Sequence, residues 1–228
     1  MFENIRRSLQ GNGYTPSVVL DIGCHQGYWT RDILSIYPNT KCFLFDATDY
    51  NLTNVLPPSE NIKFNKAVLN DCVTTVDWYD IQGSGDSIFK ENSFHYENIP
   101  PVKRETNILN NYFKIMDNNE IYSENNVKME NILMKIDCQG AEIPILKGAS
   151  YLYDKIDFII LELPFFGEYN ANVPTFLEHI QFMDSIGFIV YECMDPHIVR
   201  NFNFQVDIMF INKKHRFNEI VKKVHYIK

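Results

Sequence analysis

Val18-Val19-Leu20-Asp21-Ile22-Gly23-Cys24-His25-Gln26-Gly27 is the stretch on which the fold turns. A short β-branched run ends in an acid and reads as a strand. Two glycines follow, and helix-like sequence begins near Tyr28-Trp29-Thr30. Gly23 and Gly27 carry no Cβ, so the backbone there can turn tightly and come close to a ligand. A helix starting after them offers unpaired N–H groups and the positive end of its dipole, which suit a carboxylate. Asp21 can accept from an ammonium group.

On either side of this loop, strand-like runs alternate with helix-like ones, the pattern of βαβ units and a mostly parallel sheet. Strands are expected at 41–45, 62–68, 73–79, 132–136, 158–162, 188–192 and 206–211, the last two as an antiparallel hairpin. Helices are expected at 28–37, 141–153 and 175–186, the last closed by Gly187. The fold class that follows is α/β: a Rossmann-like, mostly parallel seven-stranded sheet with an antiparallel terminal hairpin and helices on both faces. Gly83-Ser84-Gly85-Asp86-Ser87 reads as a loop. Residues 107–131 are rich in Asn and poor in apolar runs, and read as an insertion or lid. With 1–16 as an N-terminal helix or extension, the whole of 1–228 reads as one domain.

Of the residues, 45% are hydrophobic and 14% aromatic, which is enough for a sizeable core. The net charge of −8 disfavours nucleic acid as a partner. The basic tail, Lys213, Lys214, His215, Arg216, Lys222 and Lys223, reads as a solvated helix face. The five cysteines are odd in number and show no CxxC spacing, which suits free thiols in a reducing compartment. The first residues lack the apolar centre of a signal peptide, and no run approaches the length of a membrane span. A soluble, cytoplasmic protein is expected.

Phe43-Leu44-Phe45-Asp46 is a second strand ending in an acid, placed near the position about 20 residues on where dinucleotide sites put the acid that binds ribose hydroxyls. Asp46 takes that role here. A ligand with an ammonium, a carboxylate and a ribose is described by S-adenosylmethionine. NAD fits less well, since the GxGxxG turn is absent. Two further acids end strands, Asp137 and Glu162. In an open α/β sheet they would face the same crevice as Gly23.

Met134-Lys135-Ile136-Asp137-Cys138-Gln139-Gly140-Ala141-Glu142, followed by Leu146-Lys147-Gly148-Ala149, resembles the signature of the FkbM family of methyltransferases. Asp21-Ile22-Gly23 with Gly27, the strand ending at Glu162, and Gln205-Val206-Asp207-Ile208-Met209-Phe210 extend the resemblance over roughly residues 17–212. The resemblance implies a class I methyltransferase fold, S-adenosylmethionine as donor, and O-methylation of sugars, glycans or glycosylated natural products. It places Asp21, Gly23 and Gly27 at the methionyl end and Asp46 at the ribose, with Cys24, His25 and Ala47 also among the cofactor-binding residues. Ala67, Ser87 and Asp137 complete the cofactor contacts. Cys24, His25 and Asp46 depart from the Ala, Asn and Glu common in the family.

A sugar hydroxyl is a weak nucleophile, so a base or a metal must help remove its proton. His25 is one candidate base, since imidazole titrates near neutrality. Asp137 and Glu162 are the others, as a base or as hard oxygen ligands for magnesium or manganese. Glu142 reads as a loop-ordering acid. Phe165, Phe166, Tyr169 and Asn170 are candidates for the acceptor pocket. Another small-molecule acceptor, or a non-catalytic scaffold of the same fold, stays open on the sequence alone.

Overall fold

A computed structural model describes residues 1–81, 83–116, 118–166 and 170–224. Its strands are β1 (Val18–Ile22), β2 (Lys41–Asp46), β3 (Ile62–Lys66), β4 (Val68–Leu69), β5 (Thr75–Trp78), β6 (Val102–Asn107), β7 (Phe113–Ile115), β8 (Ile121–Ser123), β9 (Ile132–Ile136), β10 (Ile156–Pro164), β11 (Phe188–Val199) and β12 (Phe202–Asn212). The helices are α1 (Phe2–Ser8), α2 (Tyr28–Ile36), α3 (Glu142–Lys147), α4 (Phe176–Ser185) and α5 (Phe217–Val224).

Seven strands form the main sheet in the order β3-β2-β1-β9-β10-β12-β11. From β3 to β10 every pairing is parallel, and β12 runs antiparallel to both its neighbours. The order reverses between β1 and β9, which opens a crevice at their carboxyl ends.

Strand alternation divides the core into two layers. Leu20, Phe43, Met134, Ile159 and Phe210 face one side, where α3, α4 and the β7–β8 region cover them. Val19, Leu44, Leu133, Ile160 and Met209 face the other, under the N-terminal segment, α2 and Phe217 of α5. A sheet covered on both faces needs near-continuous apolar strands, and 158–161 is one.

Several boundaries differ from the sequence expectation. Residues 73–79 contribute β5 to a separate three-stranded sheet, β4-β6-β5, rather than to the main sheet. The helix expected over 141–153 stops at Lys147, and a 3₁₀ turn follows at Ser150–Leu152. Helix α4 carries a full capping box between Thr175 and Glu178. The terminal strands run well past 192 and start well before 206, meeting at Arg200-Asn201, both left-handed. Such a pair matches the two-residue turns whose twist suits a hairpin. The alternation fades there because this extension is largely exposed and carries three register shifts.

Residues 107–131, expected as an insertion or lid, are packed onto the core. A 3₁₀ turn and the β7–β8 hairpin bring Leu109, Phe113, Ile121 and Met129 into the core. The apolar residues were too widely spaced to show a period. The tail cations are partly spoken for, Lys213 by Asp184 and Lys214 by Asp154, while the side chains of Lys222 and Lys223 lie outside the described set. All five cysteines are free. No helix among the described residues is long and apolar enough to cross a membrane.

Since Leu109 is fully buried, Leu109→Ala is expected to cost about 2–5 kcal/mol in urea unfolding. A change under about 0.5 kcal/mol would return the segment to the status of a loop.

Candidate functional site

The crevice is built where three strand ends are laced together. The N–H groups of Gly23 and Cys24 donate to the Phe45 carbonyl at 2.9 and 3.1 Å, and Asp137 N–H donates to the Ile22 carbonyl at 2.9 Å. Gly23 has φ 77°, and a Cβ there would lie 2.0 Å from the Asp137 carbonyl oxygen. Asp46 orders the first loop: its two carboxylate oxygens accept the His25 and Thr48 N–H groups at 2.8 and 2.9 Å. Burial pushes its pKa above the ordinary carboxylate value, against those two bonds. Glu142 orders the second loop, accepting from Cys138 N–H at 3.0 Å and Gly140 N–H at 3.3 Å.

Between the loops lies a partly open cavity, with about 630 Å³ of empty space that includes solvent at its mouth. Gly23, His25, Asp46, Ala47, Ala67, Ser87 and Asp137 line it. Ser87 ties its own loop to the second one, its hydroxyl 3.1 and 3.0 Å from the Cys138 and Gln139 carbonyl oxygens. Asp86 also lines the cavity, but its oxygens take the Ile81 and Gly83 N–H groups and the Tyr96 hydroxyl.

Three of the expected cofactor residues do not line this cavity. Asp21 is fully buried on the α2 side of the sheet, where alternation along β1 puts it, and takes the Thr30 hydroxyl at 2.5 Å. Its Oδ1 has no hydrogen-bond partner among the described residues. Cys24 is buried in the α2-side layer. Gly27 begins α2 with φ 81°, and a Cβ there would strike Leu56 at 2.7 Å, so its glycine serves packing. Tyr28 and Trp29 also lie off the cavity.

Asp137 and Glu162 do come together, but not as a metal site. Lys135, only 5% exposed, donates to Asp137 Oδ2 at 2.6 Å, and Gln139 donates to Oδ1 at 3.1 Å. Glu162 Oε2 accepts from both Gln139 and Gln205 at 2.9 Å. Burial, then the charges of Asp137 and Asp207, push the Glu162 pKa well above the ordinary carboxylate value. Burial would raise Asp137 too, but Lys135, Gln139 and Glu162 hold it below the ordinary value. The cation beside Asp137 is therefore an ammonium of the chain itself. Among the described residues no three ligating side chains gather for a metal ion. The divalent-cation expectation finds no support in this donor set, and neither does Glu162 as a base near neutral pH.

A second, more open cleft shares Gly23, His25 and Asp137 with the first. Its other walls include Glu91, Gln139, Glu162, His197 and Gln205. Of the expected acceptor residues, Phe165 packs on Phe176, Phe166 stacks on Phe202, and Asn170 bonds the Phe89 carbonyl; none lines either hollow. Tyr169 lies outside the described residues. Lys135 and Gln205 stood in the sequence only inside the motifs of the family resemblance, with no role given, and His197, Tyr50 and Trp78 were not singled out. A lysine inside an apolar strand was the one available signal, for Lys135. The others are delivered by tertiary packing.

A model of the methyltransferase FkbM domain matches residues 21–190. The chain belongs to the FkbM methyltransferase family. A search of curated proteins finds no sequence match. Similar solved structures include a methyltransferase FkbM from Methylobacillus flagellatus, 10% identical, covering 86% of this chain and 43% of that one, with a TM-score of 0.47. The 1,6-didemethyltoxoflavin-N1-methyltransferase of Burkholderia thailandensis, crystallised with its substrate and S-adenosylhomocysteine, is 8% identical over 94% of this chain and 78% of that one, TM-score 0.50. Magnesium protoporphyrin IX methyltransferase from Synechocystis, with bound S-adenosylmethionine, gives 9% identity, 92% and 77% coverage and a TM-score of 0.49. The chain thus spans less than half the length of the Methylobacillus protein.

This chain is an FkbM methyltransferase domain of class I fold. The residues fit the cofactor: Asp46 faces the cavity where ribose hydroxyls can donate to it, and Gly23 leaves backbone exposed to the methionyl end. Asp46→Asn is expected to weaken S-adenosylhomocysteine binding at least tenfold by calorimetry, since a ribose partner and a loop anchor weaken together.

Asp21 carries a pH signature. Burial raises its pKa to about 6, with Lys135 and Thr30 acting the other way. In the unfolded chain it titrates near 3.9, so the folded state binds its proton more tightly. That contribution to stability is present below about pH 4 and is lost as pH rises to about 6. Asp21→Asn, which keeps an oxygen for Thr30, is expected to flatten the stability–pH curve in this window. Urea midpoints from pH 4 to 7 would show it.

Proposed function

We propose that this domain methylates a hydroxyl of a sugar or glycan. The observation that carries the reading is the second cleft, lined by carboxyl, amide and imidazole groups at the point where it joins the cofactor cavity. Such a lining matches a polyol, which needs many hydrogen-bond partners, better than a flat apolar ring.

When bound, S-adenosylmethionine supplies an already activated methyl group, so the protein's work is alignment and proton removal. Asp137 is already held by two donors, Lys135 and Gln139, and Glu162 by two amides, so in this reading both act by orienting the acceptor hydroxyl. His25 borders both hollows and is the base in this reading. Its left-handed backbone and edge-on packing against Tyr50, ring centroids 4.5 Å apart, fix the imidazole at the junction. His25 takes the hydroxyl proton as the oxygen is alkylated.

The test is methyl transfer from tritiated S-adenosylmethionine to a panel of methyl glycosides. Alkali-stable label in a glycoside is the expected result, with kcat lowered about 10²-fold or more in His25→Ala and S-adenosylhomocysteine affinity kept within threefold. Label entering only non-sugar acceptors would overturn the sugar reading, and full turnover in His25→Ala would remove the base.

A further inference from the structure

The cofactor cavity has a roof that the main sheet does not supply. It comes from the β4-β6-β5 sheet, whose Trp78 lines the cavity with Ala47, Val68 and Ile88. These side chains form an apolar cluster of their own. Trp78 is 8% exposed, and its indole N–H has no hydrogen-bond partner among the described residues. A buried donor without a partner is costly and uncommon in a native protein.

Arg104 holds the indole in place. Its guanidinium lies over the Trp78 ring, 5.2 Å from the centroid, donates to the Ala47 carbonyl at 2.8 Å and pairs with Asp80. Three attachments on one planar group pin the roof to the end of β2, directly after Asp46.

We propose that Trp78 reads the purine of the cofactor, its indole N–H donating to a ring nitrogen of the adenine, with Arg104 as a positioning residue that acts through it. The apolar cluster around the indole favours the flat base over the ribose, which belongs with Asp46, and over the charged methionyl end. A neutral donor also suits a purine nitrogen, an acceptor that carries no charge. The inference does not depend on the acceptor that is methylated.

The probe is S-adenosylhomocysteine, with binding measured by calorimetry. Trp78→Phe keeps a ring and loses only the donor, and is expected to bind about three- to tenfold more weakly. Trp78→Leu is expected to bind more weakly still, and Arg104→Met to show part of the Trp78→Phe loss. One of the 1-, 3- or 7-deaza analogues is expected to lose the same factor on the wild type and nothing further on Trp78→Phe. Binding by Trp78→Phe within twofold of wild type would overturn the proposal, as would full additivity with every deaza analogue. The chain has two tryptophans, so Trp29→Phe leaves Trp78 as the sole indole emitter. Its emission is expected to shift on saturation with the probe. Unchanged emission would overturn the proposal even if Trp78→Phe failed to fold.

Discussion

A Cβ on residue 23 would sit 2.0 Å from the Asp137 carbonyl oxygen, so the two loops that frame the site can meet only around a glycine. That contact joins the carboxyl ends of β1 and β9, the two strands between which the sheet reverses its order. Everything else at the site is arranged around it. The first loop is free to swing His25 into the left-handed region, and the second carries Asp137 to the boundary between the two hollows. A bulkier residue would push the loops apart and separate the cofactor cavity from the cleft beside it.

The buried charges follow from the same convergence. Asp21, Lys135, Glu162 and Asp207 lie on four neighbouring strands, with Asp137 just past β9. Several carboxyls crowded around one ammonium cannot all ionise cheaply. Lys135 goes to Asp137, while Glu162, its pKa raised, has its Oε2 fixed by two amides. Two acids that read alike in sequence are driven in opposite directions, Asp137 down and Glu162 up. Burial and a neighbouring cation make that difference, and neither is written in the spacing of the two acids.

The parts of the fold that were legible are those with a strong local period. Buried parallel strands such as 158–162 are continuous apolar runs, and the glycine–acid loop after β1 has few alternatives. Helix α4 could be read from Thr175 to Gly187 because its capping box and its C-terminal glycine are local signals. Residues 107–131 and the ends of β11 and β12 were less legible for the opposite reason. Their contacts are long in sequence, their apolar residues are scattered, and exposed strand positions carry no alternation. At the site the same division holds. Gly23, Asp46 and Asp137 announce themselves as strand-end residues, whereas Gln205 and His197 reach the cleft only through the hairpin extension, and Trp78 only through the small sheet. The place of Asp21 at a strand end was read without its face.

Face is the deciding variable across this site. On β10, Leu161 and Leu163 point into the α3–α4 layer while Glu162 between them points to the polar cleft. On β1, Ile22 lines the cofactor cavity and Asp21 one residue earlier is sealed beneath α2. A slip of one residue in either strand would bury an acid against leucines and expose an apolar side chain to the acceptor. The apolar packing of the two layers therefore fixes which acids are available for chemistry. The polar cleft beside an apolar layer is a consequence of strand register before it is a property of any single residue.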